Sequence, residues 1–170
     1  MTIPIDETAD VQVMLDDFGV SVDIQDGSDP ANEVEMLVLG GELKFRETSG
    51  KVFVVNRGSL LEVLETAAAP VEVEFDLRFR GLVSSGQAPT PYEALKHIGA
   101  ASGWTSTRPA DEAYTVDVVF TLADPGGGAG EIITFGDFTP ERIRFTTGNE
   151  VDRLAVSGRA FTVDIEKEGT

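Results

Sequence analysis

Residues 71–80 read Val71-Glu72-Val73-Glu74-Phe75-Asp76-Leu77-Arg78-Phe79-Arg80, with apolar and charged residues in strict alternation. A β-strand has this pattern when one face packs on a hydrophobic core and the other faces water. We therefore predict a half-buried strand here. Its charged face begins with three carboxylates and ends with two arginines.

A helix start follows this strand after a loop that contains Gly and Ser. Thr90 is suited to cap the helix, and Pro91 to its first position because proline has no N–H to leave unpaired. Glu93 completes a capping box with Thr90. The sequence predicts a helix of about ten residues from Pro91, with Gly99 and Gly103 as stop signals.

Most of the remaining chain alternates like strands, with Gly, Asn, Asp, Ser and Pro between the segments. We interpret residues 60–69 as a loop or a short helix, and residues 124–130 as a hairpin loop. The many short strands predict a mainly β fold, a β-sandwich or barrel-like domain with one flanking α-helix. Strands are predicted at residues 11–15, 20–24, 34–39, 42–47, 51–56, 71–80, 114–122, 131–135, 142–147 and 153–165.

The termini set the predicted domain organisation. Residues 1–10 are polar and acidic with few large apolar groups, so they cannot offset the entropy of their own ordering. We predict a flexible N-terminal arm at residues 1–10 and a single β-rich domain at residues 11–170. This domain is long enough to bury a core without a metal or disulfide.

The composition excludes several classes of function. The 170 residues include 30 acidic and 13 basic side chains, a formal net charge of −17, which repels phosphate and anionic lipid. No cysteine is present, which excludes thiolate metal sites and disulfides. The chain has no signal-like start and no long apolar run. We therefore expect that it is synthesised in the cytoplasm and is not inserted into a membrane.

Several other segments are candidates for chemical sites. Residues 22–33 do not form an EF-hand, because Val22 and Ile24 would occupy ligand positions; a looser divalent-ion site at residues 26–33 stays open. Residues 126–130 match neither a dinucleotide fingerprint nor a phosphate loop. The single histidine, His97, is interpreted as a packed or solvated helix residue, and Trp104 as a core anchor.

The carboxylates of the strand predicted at residues 71–80 are a further candidate site. Glu72, Glu74 and Asp76 share one strand face, where two carboxylates could divide acid and base roles, but a solvated strand face is the favoured interpretation. We therefore expect no enzyme activity, no catalytic residue, no metal and no cofactor.

The chain from about residue 40 to 161 resembles the tail tube proteins, or major tail proteins, of long-tailed bacteriophages. The order and spacing of eight short motifs carry this resemblance. They are Gly41-Glu42-Leu43-Lys44-Phe45, Asn56-Arg57-Gly58, Pro70-Val71-Glu72-Val73-Glu74-Phe75, Thr90-Pro91-Tyr92-Glu93-Ala94-Leu95, Ser102-Gly103-Trp104-Thr105-Ser106, Tyr114-Thr115-Val116-Asp117-Val118-Val119-Phe120, Ile133-Thr134-Phe135-Gly136-Asp137-Phe138 and Val156-Ser157-Gly158-Arg159-Ala160-Phe161.

The resemblance implies a structural virion protein whose subunits form hexameric rings, stacked into a hollow tail tube that conducts DNA during ejection. Glu72, Glu74 and Asp76 would then be lumen-facing, although Arg78 and Arg80 depart from a purely acidic face. Residues 51–70 would form the loop that contacts the next ring. The residues proposed for that loop are Lys51, Arg57, Leu60 and Leu64, and those of the family's helix motif are Pro91, Tyr92, Glu93 and Leu95.

The implied partners are other copies of the chain, the tape measure, terminator and distal tail proteins, and DNA in transient, non-sticking passage. The implied location is the virion tail, assembled in the host bacterial cytoplasm. Residues 15–20 also resemble the start of some head-to-tail joining proteins. A connector or tail terminator is therefore the first alternative. A monomeric ligand-binding β-sandwich and a carboxylate-based hydrolase are the other two alternatives.

Overall fold

The computed structural model describes residues 2–15, 20–65, 69–79, 89–109, 111–124, 126–147 and 152–167. Within these residues the chain forms nine strands, one α-helix and a 3₁₀ helix. Their bounds are β1 Thr2–Leu15, β2 Val20–Gln25, β3 Glu33–Asn56, β4 Ser59–Glu65, β5 Val71–Phe79, α1 Pro91–Lys96, the 3₁₀ helix Gly99–Ala101, β6 Val116–Leu122, β7 Glu131–Thr147, β8 Asp152–Ala160 and β9 Thr162–Lys167.

The strands close into a barrel made of two sheets, so the predicted mainly β class with one short helix is confirmed. We call sheet A the order β3(33–38)-β2-β6-β7(131–138)-β9. We call sheet B the order β1-β3(38–46)-β5-β8-β7(139–147). The long strands β3 and β7 belong to both sheets, and all pairings are antiparallel.

The core lies between the two sheets. Its centre is an aromatic cluster in which Phe45 of sheet B contacts Phe135 of sheet A, with ring centroids 5.4 Å apart. Phe75 likewise meets Phe120 edge to face at 5.5 Å. Such edge-to-face pairs add to the energy of burial itself. The alternation predicted the buried face correctly over residues 71–78, because Val73, Phe75 and Leu77 are buried.

Five predicted strands form only two strands in the structure. Residues 34–39, 42–47 and 51–56 all belong to β3, and residues 131–135 and 142–147 both belong to β7. At Gly41 the backbone has φ 142°, and an added Cβ would lie 2.0 Å from the carbonyl oxygen of Asp76. The glycine therefore permits a close approach of two strands where β3 changes sheet, and it does not end the strand.

The N-terminal segment is also a strand. Residues 2–10, predicted as an arm, form the first part of β1 and pair with residues 46–54 of β3. The prediction considered side chains alone, whereas β1 satisfies the backbone hydrogen-bonding groups along an edge of β3. The flexibility of this segment stays a prediction.

Residues 59–65 form a strand, so the prediction of a loop or short helix was wrong. β4 pairs with residues 51–56 of β3 through a tight turn. Arg57 and Gly58 have φ values of 52° and 81°, as a type I′ hairpin turn requires. Together with residues 2–8 of β1, this hairpin extends beyond the two-sheet body as a three-stranded ribbon.

Helix α1 begins as predicted but is shorter. The Thr90 hydroxyl accepts the Glu93 N–H, and the Glu93 carboxylate accepts the Thr90 N–H, which confirms the capping box. The helix ends at Lys96 because His97 adopts the left-handed conformation, with φ 58°. The prediction of ten residues took the next glycine as the end, whereas a histidine occupies the C-cap.

Candidate assembly surfaces

The outward face of sheet B collects basic residues that lie far apart in the sequence. Side chains on this face come from four adjacent strands and include seven of the 13 Lys and Arg residues and five carboxylates. The basic members are Lys44, Arg46, Arg78, Arg142, Arg144, Arg153 and Arg159, and the acidic ones are Glu42, Glu72, Glu74, Asp76 and Glu141. Among the side chains that the structure describes on these four strands, basic ones thus outnumber acidic ones, in a chain of net charge −17.

Several of these charges are paired across strands. The Arg153 guanidinium binds both carboxylate oxygens of Asp76, with Nε 2.8 Å from Oδ1. This hydrogen bonding, against the opposing effect of burial, lowers the pKa of Asp76. Arg159 Nε lies 3.0 Å from Glu141, and Arg46 lies 3.8 Å from Glu72. These pairs are exposed, so each contributes little to stability.

The three predicted lumen residues lie side by side at the centre of this face. Glu72 and Glu74 are exposed and Asp76 is half-buried. Glu72 is level with Arg46 on β3 and Arg159 on β8. Glu74 is level with Lys44, and Arg153 binds Asp76, so the charge of this face is mixed. The position of the three carboxylates in a lumen stays a prediction. Arg80 lies outside the described residues.

Three arginines of this face form no close ion pair with a described residue, although the charge of Arg78 helps to lower the pKa of Asp76. Arg78, Arg142 and Arg144 form no ion pair with any residue that the structure describes. Two of them lie on residues 139–147 of β7, the last strand of sheet B. Beside this strand the surface forms a shallow trough of about 710 Å³, lined by Lys44, Glu74, Arg142, Arg144 and Arg153 among others.

The ribbon presents apolar side chains to solvent. All seven residues of β4 are exposed, and Leu60 and Leu61 retain 58% and 62% of their accessible surface. Leu60 pairs with Val55 and Leu64 with Val52, on opposite faces of the ribbon. An apolar surface of this kind on a charged protein indicates a binding surface.

The structure brings together the four residues predicted to contact another ring. Lys51 pairs with Glu65, and Leu60 and Leu64 lie on the same strand. Arg57 lies in the turn that joins β3 to β4. The role of these residues stays a prediction, and residues 66–68 of the same predicted loop lie outside the described residues.

The helix motif is used for packing. Pro91 and Leu95 are buried in the core, whereas Tyr92 accepts a hydrogen bond from Lys96 at the surface. Glu93 also accepts the N–H of Ala100 at 2.8 Å, which ties the helix to the 3₁₀ helix after it. The helix motif therefore stabilises the two-sheet body, and it is not part of the charged face of sheet B or of the ribbon.

The aromatic groups near the helix are also structural. His97 stacks on Tyr114 at 4.2 Å, and its Nε2 lies 2.8 Å from the Trp104 carbonyl oxygen. Burial raises the pKa of Tyr114 to about 12, and its hydroxyl donates to the Ala94 carbonyl. Trp104 is buried, which confirms its interpretation as a core anchor.

The possible divalent-ion loop is held by hydrogen-bond donors. Asp26 accepts the backbone and side-chain N–H groups of Asn32, both at 2.7 Å, and the Thr105 N–H at 3.1 Å. Burial raises the pKa of Asp26, but these bonds and those from Ser28 outweigh it and lower the value to about 2. Among the described residues no group of carboxylate and histidine side chains is arranged to hold a metal ion.

No helix within the described part of the chain is long and apolar enough to cross a membrane. No protein-family model matches the chain, and no curated protein matches its sequence.

Among solved structures, a chain of the anti-feeding prophage (AFP) baseplate is 12% identical, with a TM-score of 0.47, covering 89% of this chain and 95% of that one. A chain of the sheath-tube complex of an extracellular contractile injection system (PVC) is 9% identical, with a TM-score of 0.42, covering 86% and 88%. A chain of the PVC sheath/tube terminator is 9% identical, with a TM-score of 0.44, covering 85% and 92%.

Proposed function

We propose that this chain is a structural subunit of a phage-type tail, which assembles into rings of six and stacks them into a tube. The observation that carries the proposal is the ribbon, a three-stranded projection with leucines exposed on both of its faces. The proposed ribbon contact lies between one ring and the next, in the segment where the resemblance to tail tube proteins predicts it.

The ribbon's energetics support an assembled state. Residues 48–56 extend over about 30 Å at the usual rise per residue of a strand. Exposed leucines cost free energy in water, at about 25 cal/mol for each Å² that a partner could cover. Burial of the ribbon's apolar surface against another subunit therefore offsets part of the free-energy cost of association. A monomer does not gain this free energy.

The proposed partners are copies of this chain and, at the ends of the tube, tape measure, terminator and distal tail proteins in a virion assembled in the host cytoplasm. Residues of sheet B would line the channel through which DNA passes. The proposal assigns no catalytic residue and no cofactor to the chain.

The first test is negative-stain electron microscopy of the purified protein over a concentration series, with light scattering for mass. Rings or tubes with a central hole wide enough for duplex DNA are the expected result. A strictly monomeric protein at high concentration would contradict the tube function and favour a connector, a terminator or a ligand-binding sandwich.

A pair of variants tests the ribbon itself. We expect Leu60→Glu combined with Leu64→Glu to abolish stacking, because each carboxylate would have to be desolvated in the contact. Ile98→Glu is the matched control, since Ile98 is 43% exposed and lies beside the helix, away from the ribbon. Equal loss of assembly in both variants would show that added charge, and not the ribbon, is responsible.

A further inference from the structure

The trough on the outward face of sheet B follows strand β8, whose outward side chains there are small. Ala155 and Ser157 lie between long charged side chains of the two neighbouring strands. β5 lies on one side of β8 and β7 on the other, so the two walls are separated by two strand spacings, about 10 Å. One extended polypeptide chain fits this width, whereas duplex DNA, whose major groove alone is about 12 Å wide, does not.

The β7 wall of the trough carries the free positive charge. Arg142 is level with Ser157 and Arg144 with Ala155, so both guanidinium groups flank the small residues of β8. Both arginines are exposed, and neither forms an ion pair within the part of the chain that the structure describes. An anion that enters the trough therefore meets two arginines that no described carboxylate engages.

On the opposite wall most charges are already paired. Arg153 binds Asp76 of β5, and on β3 the Lys44 ammonium lies 3.3 Å from a Glu42 carboxylate oxygen. Glu74 is exposed and has no ion-pair partner among the described residues. A ligand in the trough therefore has two arginines on one side and a carboxylate on the other.

We propose that the trough binds an extended, acidic polypeptide segment of another protein, with carboxylates of alternate residues on Arg142 and Arg144. Alternate side chains of an extended chain are about 6.8 Å apart, and so are these two arginines, which are two residues apart on one strand. A guanidinium group donates two parallel hydrogen bonds to a carboxylate. The trough lies within one subunit, so this contact goes beyond the proposed function and does not depend on it.

Glu74 favours a polypeptide over a single-stranded nucleic acid. In an extended segment the residues between the acidic ones point to the opposite side, which here is the wall that contains Glu74. A polypeptide can place a hydroxyl, amide or amine there, whereas a nucleic acid carries a phosphate on every nucleotide. The net charge of −17 adds to the repulsion of phosphate.

The test measures the binding of fluorescein-labelled peptides to the full chain by fluorescence anisotropy at low salt. The probe is a dodecapeptide in which glutamate and serine alternate. Its matched control has the same composition, but pairs of glutamates alternate with pairs of serines, so no two glutamates are two residues apart. We expect the alternating peptide to bind more tightly, because only this peptide can place carboxylates on both arginines from one side.

Variants of the chain locate the binding site. Arg142→Gln with Arg144→Gln should weaken binding of the alternating peptide about tenfold or more, because both carboxylate contacts lose their positive charge. Ser157→Glu keeps both arginines but places a carboxylate on the floor of the trough, and it should weaken binding as well. Lys96→Gln with Arg108→Gln is the control, since it removes the same charge outside sheet B and should bind like the wild type. Melting temperatures establish that each variant is folded.

Several outcomes overturn this contact. They are equal affinity for the two glutamate peptides, no binding of either peptide to the wild type, and an equal loss of affinity in the control variant. Tighter binding of a single-stranded oligothymidylate would instead assign the trough to nucleic acid. Ring formation is measured separately by electron microscopy, so a wild-type chain that binds the alternating peptide but never assembles contradicts the proposed function alone.

Discussion

The two-sheet body and the ribbon share one strand, β3. The side chains of β3 are buried in the body and are more exposed in the ribbon. In the body, Leu43 is fully buried and Phe45 nearly so, because sheet A covers that face of sheet B. In the ribbon, residues 51–55 of the same strand are only half-buried, and their partner β4 is exposed along its whole length.

The difference shows that strand formation and core formation are separate requirements. Both regions satisfy their backbone hydrogen bonds with neighbouring strands, but only the body has a second sheet to cover its apolar side chains. A small ribbon of strands gains little stability in water by itself. The body therefore contains what the chain needs to fold, and the ribbon contains what it needs to assemble.

The largest effect that we expect comes from a glycine in the body, compared with a glycine in the ribbon. Gly41→Ala should cost about 3 kcal/mol, since Cβ would lie 2.0 Å from the Asp76 carbonyl oxygen at a φ of 142°. Gly58→Ala in the ribbon turn has open space around it and should cost about 1 kcal/mol, the penalty of a positive φ. Urea denaturation of the monomer measures both values.

The same pair distinguishes stability from assembly. Gly58→Ala disturbs the turn that sets the ribbon's register, so it should impair stacking more than its small cost in stability suggests. Equal free energies of unfolding for the two variants would contradict the assignment of Gly41 to a close contact in the body.

The next effect comes from the loop that Asp26 closes in the body; the ribbon turn has no comparable acceptor among the described residues. Asp26→Asn should cost about 2 kcal/mol near neutral pH, because it replaces a buried, multiply bonded carboxylate with a neutral amide. The pKa of Asp26 is about 2 in the folded state against an ordinary 3.8. Its ionised form therefore adds stability above pH 3.8, which is lost as the pH falls toward 2.

The measurement is the free energy of unfolding of wild type and Asp26→Asn as a function of pH. The difference between them should shrink through this acidic window. Asp124→Asn is the control, because Asp124 accepts backbone N–H groups in an exposed hairpin loop. A pH-independent difference for Asp26→Asn would show that packing, and not the charge, holds the loop.

Much of the body could be predicted from local sequence. The alternation of residues 71–80 and the capping box at Thr90 are local signals, and both elements have the predicted type and start. Two of the errors came from glycine, whose local meaning is ambiguous. Gly41 marks a close approach inside a strand, whereas Arg57 and Gly58 form a tight turn that the pattern of apolar residues did not reveal.

The charged face could not be predicted in the same way, because it depends on which strands are neighbours. Glu72, Glu74 and Asp76 alternate with apolar residues in one strand, and the sequence predicts a solvated face there that two arginines continue. Arg153 is 77 residues from Asp76 and reaches it only because β8 pairs with β5. A single sequence does not reveal the order of strands in a sheet or the register in which they pair.

The smallest effect that we expect concerns a buried polar group in the body. It tests whether every such group there has a favourable partner. Asp23 lies on the outer face of sheet A opposite Glu35, and its Oδ1 is buried with no hydrogen-bond partner among the described residues. Burial, and then the charges of Glu35 and Glu33, raise the pKa of Asp23 from 3.8 to about 6. Ionised Asp23 therefore destabilises the fold, and this penalty appears as the pH rises from 3.8 through 6.

Asp23→Asn should therefore stabilise the monomer by about 1 kcal/mol near neutral pH, a value reduced for partial exposure to solvent. The gain should disappear near pH 4, where the wild-type carboxyl group is protonated and resembles the amide. Asp164→Asn on the exposed strand β9 is the control and should leave stability unchanged. If Asp23→Asn instead destabilises the chain at neutral pH, the Asp23 carboxylate has a favourable partner, as the Asp26 carboxylate does.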